Sequence, residues 1–260
     1  ECFFAIMQGD AVLYSEDGDK STIGLQGQTS ENSSKHNFKI KVKNSSKNKV
    51  ALRFGTWCES TSITLKAYGD IPGNNTGFDR SMVREAVSLE LWRQIRRHDP
   101  DNLGHIAPWY ARLNQTTTLF QQPLFSCDCS PIAVYLQLPT DTVPQFYGCY
   151  MLRADNPPQT YLLDTSNARH YQLQPQHGPA DRWTNTAYLT GPSWEFSSPD
   201  TPDNAVPARL FNWFKSVLTG SASWDDYGPY LGLTSWLDYI IHIEAVGSFD
   251  STVNNLMLKS

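Results

Sequence analysis

Charge is scarce in this chain. Lys, Arg, Asp and Glu make up 18% of its 260 residues, against about 25% in ordinary soluble domains. The net charge of −5 leaves no cationic excess for counterion release, so nucleic acid is not expected as a partner. No apolar run approaches the ~20 residues a membrane-spanning helix needs, and membrane insertion is not expected either. No charged-then-apolar leader is present. The chain opens on Glu1 rather than Met, which suggests a piece cut from a longer polypeptide.

Signatures of chemistry are missing as well. There is no G-x-S-x-G elbow and no glycine-rich phosphate loop ending in Lys-Ser/Thr. The six histidines form no H-E-x-x-H pair, and the five cysteines, at 2, 58, 127, 129 and 149, include one close pair, "CDC" at 127–129. A zinc site would need a second such pair, so the cysteines read as free thiols behaving as small hydrophobes. "SEDGDKST" places Asp17, Asp19 and Ser21 like the start of a calcium loop. Its sixth position is Thr22 rather than Gly, and its twelfth is Gln28 rather than Glu. The expectation is therefore no metal, no cofactor and no enzymatic activity.

What the chain does hold is aromatic and polar: 12% Phe, Trp and Tyr, with solubility supplied by Asn, Gln, Ser and Thr. That mix suits β-structure with long loops. "CFFAIM" and "AVLY" around "QGD" predict two short strands. In "HNFKIKVKNSSKNKVALRF", Phe38, Ile40 and Val42 alternate with Lys39, Lys41 and Lys43, the period of a strand with one wet face. "SITLKAY", "TTTLF", "IAVYLQL", "QFYGCYML" and "TYLLD" continue the series. Val83, Val87, Leu91 and Ile95 recur at helical spacing and predict a long helix over about 80–98 with that stripe facing a core. A short helix is expected at about 207–218. Residues 174–207 read as loop, and "SWLDYIIHIEAV" and "STVNNLMLK" as closing strands. The expected fold is one mainly-β domain over 1–260, a barrel or sandwich of short antiparallel strands with one long helix and one short one.

"GSASWDDYGPY", 220–230, sets two adjacent carboxylates among rings. Neighbouring Asp225 and Asp226 point in divergent directions, so they cannot easily flank one glycosidic bond. Rings stack on sugars or anchor a protein partner, and carboxylates beside them accept hydrogen bonds. The candidate ligand-binding residues are Trp224, Asp225, Asp226, Tyr227 and Tyr230, with Trp183 and Trp194 as secondary candidates.

The entry segment "FFAIMQGDAVLYSEDGD", the body "FKIKVKNSSKNKVALRF … SITLKAYGDIPG" and the ending "LDYIIHIEAV" together resemble the astrovirus capsid spike, the protruding domain of a non-enveloped virus capsid. The resemblance implies a β-barrel-centred homodimer on the virion surface, assembled in the host cytoplasm. It implies attachment to a host-cell receptor and recognition by neutralising antibodies. It transfers no site residue. The alternatives are a carbohydrate-binding module and a glycoside hydrolase-like domain.

Overall fold

The computed structural model describes residues 4–15, 20–27, 33–52, 60–68, 83–98, 126–155, 158, 163–176, 179–191, 193–247 and 258–259. The expected strand "TTTLF", Asp17 and Asp19 of the calcium-like loop, and Cys2 and Cys58 lie outside them. The chain divides into two compact units, Glu1–Arg93 with Leu124–Thr160, and Gln94–Pro123 with Tyr161–Ser260.

In the first unit, β1 (Ala5–Gln8) and β2 (Ala11–Ser15) pair as an antiparallel hairpin. A five-stranded antiparallel sheet follows: β3 (Thr22–Leu25), β4 (Phe38–Lys41), β5 (Ser62–Lys66), β6 (Cys129–Leu136) and β7 (Gln145–Ala154), in the order β3-β4-β5-β7-β6. Side chains alternate across a strand and directly opposite residues share a face. Ile40, Ile63, Leu65, Tyr150 and Leu152 accordingly gather on one face as an apolar core. The register sets Thr64 opposite Arg153 and Lys66 opposite Met151, so the other face carries Ser62, Thr64, Lys66 and Arg153.

The long helix is present as α1 (Arg84–His98), but three of the four stripe residues face outward and only Ile95 is half-buried. Val83, Val87 and Leu91 are 42%, 60% and 39% exposed, whereas Glu85, Arg93 and Arg96 point inward to ion-pair partners. Arg93 reaches Asp128 at 3.0 Å, Ser126 Oγ donates to the Leu89 carbonyl at 3.1 Å, and Arg96 meets Asp238 at 2.7 Å. The periodicity is real. Its polarity is set by charged neighbours that the helix must satisfy.

The second unit has a three-stranded sheet of β8 (Gln172–Pro175), β9 (Trp194–Ser198) and β10 (Leu258–Lys259) in the order β10-β8-β9. Residues 174–207 thus hold strands as well as two 3₁₀ turns, Ala180–Trp183 and Thr186–Thr190. The short helix is α2 (Ala205–Leu218), with Pro207 in its first turn, where no intrahelical N–H is required. Its Phe211 joins Leu173, Leu189 and Trp194 in a core, with Ala208, Leu210 and Phe214 packed against it. "SWLDYIIHIEAV" is not a strand but helix α3 (Leu233–Val246), closed by Gly247 at φ 66 in the left-handed region. The fold is β-rich and mainly antiparallel, with three α-helices among the described residues and no sheet closed into a barrel. No described helix is long and apolar enough to cross a membrane.

Candidate functional site

Buried charge concentrates on the polar face of the five-stranded sheet. β5 ends in Ile63-Thr64-Leu65-Lys66, and it is the third strand of that sheet both along the chain and in space. α1 follows it in sequence and carries Glu85 in its first turn. One Glu85 oxygen, Oε1, accepts from Arg153 Nη1, and the other, Oε2, accepts from the Tyr68 hydroxyl. Asp155, just beyond β7, takes Lys39 Nζ at 2.5 Å and the Ser62 hydroxyl at 2.6 Å.

The electrostatics follow from this crowding. Burial drives the Lys66 ammonium to shed its proton, the like charge of Arg153 adds to that, and the two together bring its pKa down to about 8 against the attraction of Glu85 and Asp155. Burial pushes Glu85 upward. Arg153, the Tyr68 hydroxyl and Lys66 outweigh it and hold the carboxyl below its usual range. Burial and the Glu85 charge keep Tyr68 protonated far into alkali. The Cys129 thiol is pushed up to about 12 by burial, Cys127 and Glu85, which disfavours its thiolate at neutral pH. Cys127, Cys129 and Cys149 are free thiols.

The loop singled out in the sequence lies in the second unit. Trp224–Tyr227 forms a 3₁₀ turn capped by Ser223, whose hydroxyl accepts from the Asp225 N–H at 3.1 Å. Trp224, Asp225 and Asp226 are exposed, while Tyr227 and Tyr230 are half-buried. Trp213 is stacked on Tyr230 at 5.3 Å and tilted against Trp224 at 5.2 Å. A recess of about 300 Å³ beside them is lined by Arg209, Asn212, Trp213, Ser216, Ala222 and Tyr230. Neither Asp225 nor Asp226 lines it. Trp194 is 4% exposed and packs edge-on against Trp183 at 4.8 Å. Both belong to the core of the second unit, not to a displayed loop.

Lys66, Glu85, Arg153 and Tyr68 were not among the sequence candidates. The available signal was "ITLK" ending a strand, with an acid at the start of the next helix. Residues 66 and 85 are brought together only by the fold. Among the described residues, no group of three or more His, Cys, Asp or Glu is placed to hold a metal ion.

Comparison with known proteins comes to one finding. The family model described as CotH kinase protein matches residues 23–260, and the chain belongs to that family. No curated protein and no solved structure matches it. The family overturns the resemblance to an astrovirus capsid spike, and with it the attachment function, the virion-surface location and assembly in host cytoplasm. That resemblance rested on the layout of strands and loops without a diagnostic motif. The homodimer, the host receptor and the antibodies were its implications and lose their support. Nothing found supports a carbohydrate-binding module or a glycoside hydrolase.

Proposed function

Taking membership of the CotH kinase family as premise, we propose that this chain transfers a phosphoryl group from a nucleoside triphosphate. In this reading Lys66 holds the phosphates, and Glu85 is the carboxylate whose charge acts on it through space. The observation that carries the reading is the placement of these two residues. Protein kinases hold the nucleotide phosphates with a lysine in V-A-I-K on the third strand, paired with a glutamate of the helix that follows. Here Ile63-Thr64-Leu65-Lys66 ends the third strand of the five-stranded sheet, and Glu85 opens the next helix and couples to Lys66. The likeness is one of placement and chemistry, and function is argued from the site rather than from the fold.

Phosphoryl transfer asks little covalent chemistry of a protein. It asks for fixed positive charge where negative charge lies and shifts. A half-buried lysine at the end of the sheet strand is such a charge, and its Coulombic attraction is stronger there than in bulk solvent. The described residues do not assemble a metal site, so no step is assigned to a metal.

The test is transfer of labelled γ-phosphate to water and to generic protein acceptors, with Lys66→Met and Glu85→Gln as controls. Turnover by the wild-type chain is expected to fall by about a hundredfold or more in Lys66→Met and by about tenfold or more in Glu85→Gln. A nucleotide that binds but is never turned over would support the other expectation, a binding protein without catalysis. Equal turnover in wild type and Lys66→Met would remove the site from the reaction.

A further inference from the structure

Glu85 and Lys66 are coupled, yet the carboxylate is already committed elsewhere. Both of its oxygens have directional donors, Arg153 on one and Tyr68 on the other. Among the described residues no hydrogen bond or ion pair reaches Lys66 Nζ. Asp155, the second nearby acid, is likewise engaged by Lys39 and Ser62. Among the described residues, Lys39 and Arg153 hold the direct contacts to Asp155 and Glu85, and Lys66 feels these acids only through space. A half-buried cation with no direct contact to an acid among the described residues is left open to an arriving anion.

Tyr68 adds an independent sign that the arrangement is held in place. Its φ of 50 lies in the left-handed region, which a bulky aromatic residue rarely adopts. That backbone carries the ring whose hydroxyl reaches Glu85.

We propose that Arg153 is a positioning residue for an anionic polyphosphate ligand: with Tyr68 it occupies the Glu85 carboxylate, so that Lys66 is not neutralised by its own glutamate and stays available to the phosphates. The identity of the anion rests on the phosphoryl-transfer reading. The control of Lys66 by Arg153 does not. The groups that act on Lys66 are Arg153 and Asp155 at the end of β7, Glu85 on α1, and Cys127 ahead of β6. Removal of Arg153 takes away a like charge and frees one Glu85 oxygen for Lys66.

Two measurements on the full chain test this, using wild type, Arg153→Met, Arg153→Lys, Glu85→Gln and the Arg153→Met/Glu85→Gln double variant. The first follows trace acetylation of Lys66 against pH by mass spectrometry, without ligand. The wild-type amine is expected to titrate near 8. In Arg153→Met it should move up by about one unit or more, and in Arg153→Lys by less. The second is calorimetric titration with inorganic tripolyphosphate. Arg153→Met is expected to bind about tenfold more weakly than wild type, whereas in the Glu85→Gln background the same change should cost less than about threefold, because the residue acts through Glu85.

An equal loss in both backgrounds would mean that Arg153 touches the anion itself, and would overturn the proposal. So would unchanged Lys66 titration in Arg153→Met. If wild type binds neither tripolyphosphate nor nucleotide, the phosphoryl-transfer reading fails, while the acetylation profile still decides whether Arg153 governs Lys66. Arg153→Lys keeps the comparison open should the methionine variant unfold.

Discussion

Lys66, Glu85 and Tyr68 each leave a separate mark on the pH dependence of stability. The folded state lowers the pKa of Lys66 to about 8, so between that value and the ordinary lysine value of about 10.4 the unfolded chain binds more protons. The cost of burying the ammonium is felt below this window, and stability rises with pH across it. Glu85 is held below its ordinary value. Its contribution is present above the unfolded pKa and is lost as pH falls through the folded one. Tyr68 is held above its ordinary value, so its contribution fades as pH rises beyond about 10. Urea denaturation from acid to alkali should show the Lys66 rise in wild type and not in Lys66→Met. The same series should show a reduced acid limb in Glu85→Gln. At neutral pH Glu85→Gln should cost on the order of 3 kcal/mol, since it leaves the Arg153 guanidinium buried without its counter-charge.

Among the elements, α1 separates what periodicity reveals from what it does not. The i, i+4 row of Val83, Val87 and Leu91 was legible in the sequence and located the helix over Arg84–His98. Its direction was not, because an amphipathic pattern assumes an apolar partner. Here the neighbouring face offers Arg153 and Asp128, and α1 answers with Glu85 and Arg93. Val87→Lys should therefore change unfolding free energy by less than about 0.5 kcal/mol, whereas Arg93→Ala should cost about 2 kcal/mol or more by removing its bonds to Asp128 and to the Ser126 and Cys127 carbonyls. Chemical denaturation of the two variants checks this, and the opposite ranking would restore the apolar-inward helix. Helix α3 was misread for a related reason. Tyr239, Ile240, Ile241 and Ile243 have the β-branched and aromatic character of a strand, but the segment coils into Leu233–Val246 with His242 and Ile243 buried. Alternation was the better guide in β4 and β5, where residues opposite in register do share a face.

Over the whole molecule the two units each bury a core of their own. Phe211, fully buried among Trp194, Leu189 and Leu173, is the best single probe of the second. Phe211→Ala should cost about 3–5 kcal/mol, which thermal denaturation would report as a lower transition for that unit. Composition and period recovered a β-rich, mainly antiparallel chain and both of the expected helices. They did not recover the family, and residues 66, 85 and 153 of the candidate site lie far apart in sequence and carry no local motif. The acidic aromatic loop drew attention by its local density, and its Asp225 and Asp226 stay on the surface, whereas the secondary candidate Trp194 lies inside the second unit. The buried pairing across the sheet that defines the candidate site exists only once β5, β7 and α1 meet.

The central claim is that Lys66 is a half-buried cation that receives a phosphate. Titration of the chain with a nucleoside triphosphate at pH 8, in two buffers of different ionisation enthalpy, addresses it directly. Binding should be accompanied by proton uptake in wild type, as the ligand returns Lys66 to its charged form. In Lys66→Met the uptake should vanish and affinity should fall by about tenfold or more. Binding of equal strength in both proteins, with no proton taken up, would contradict the account.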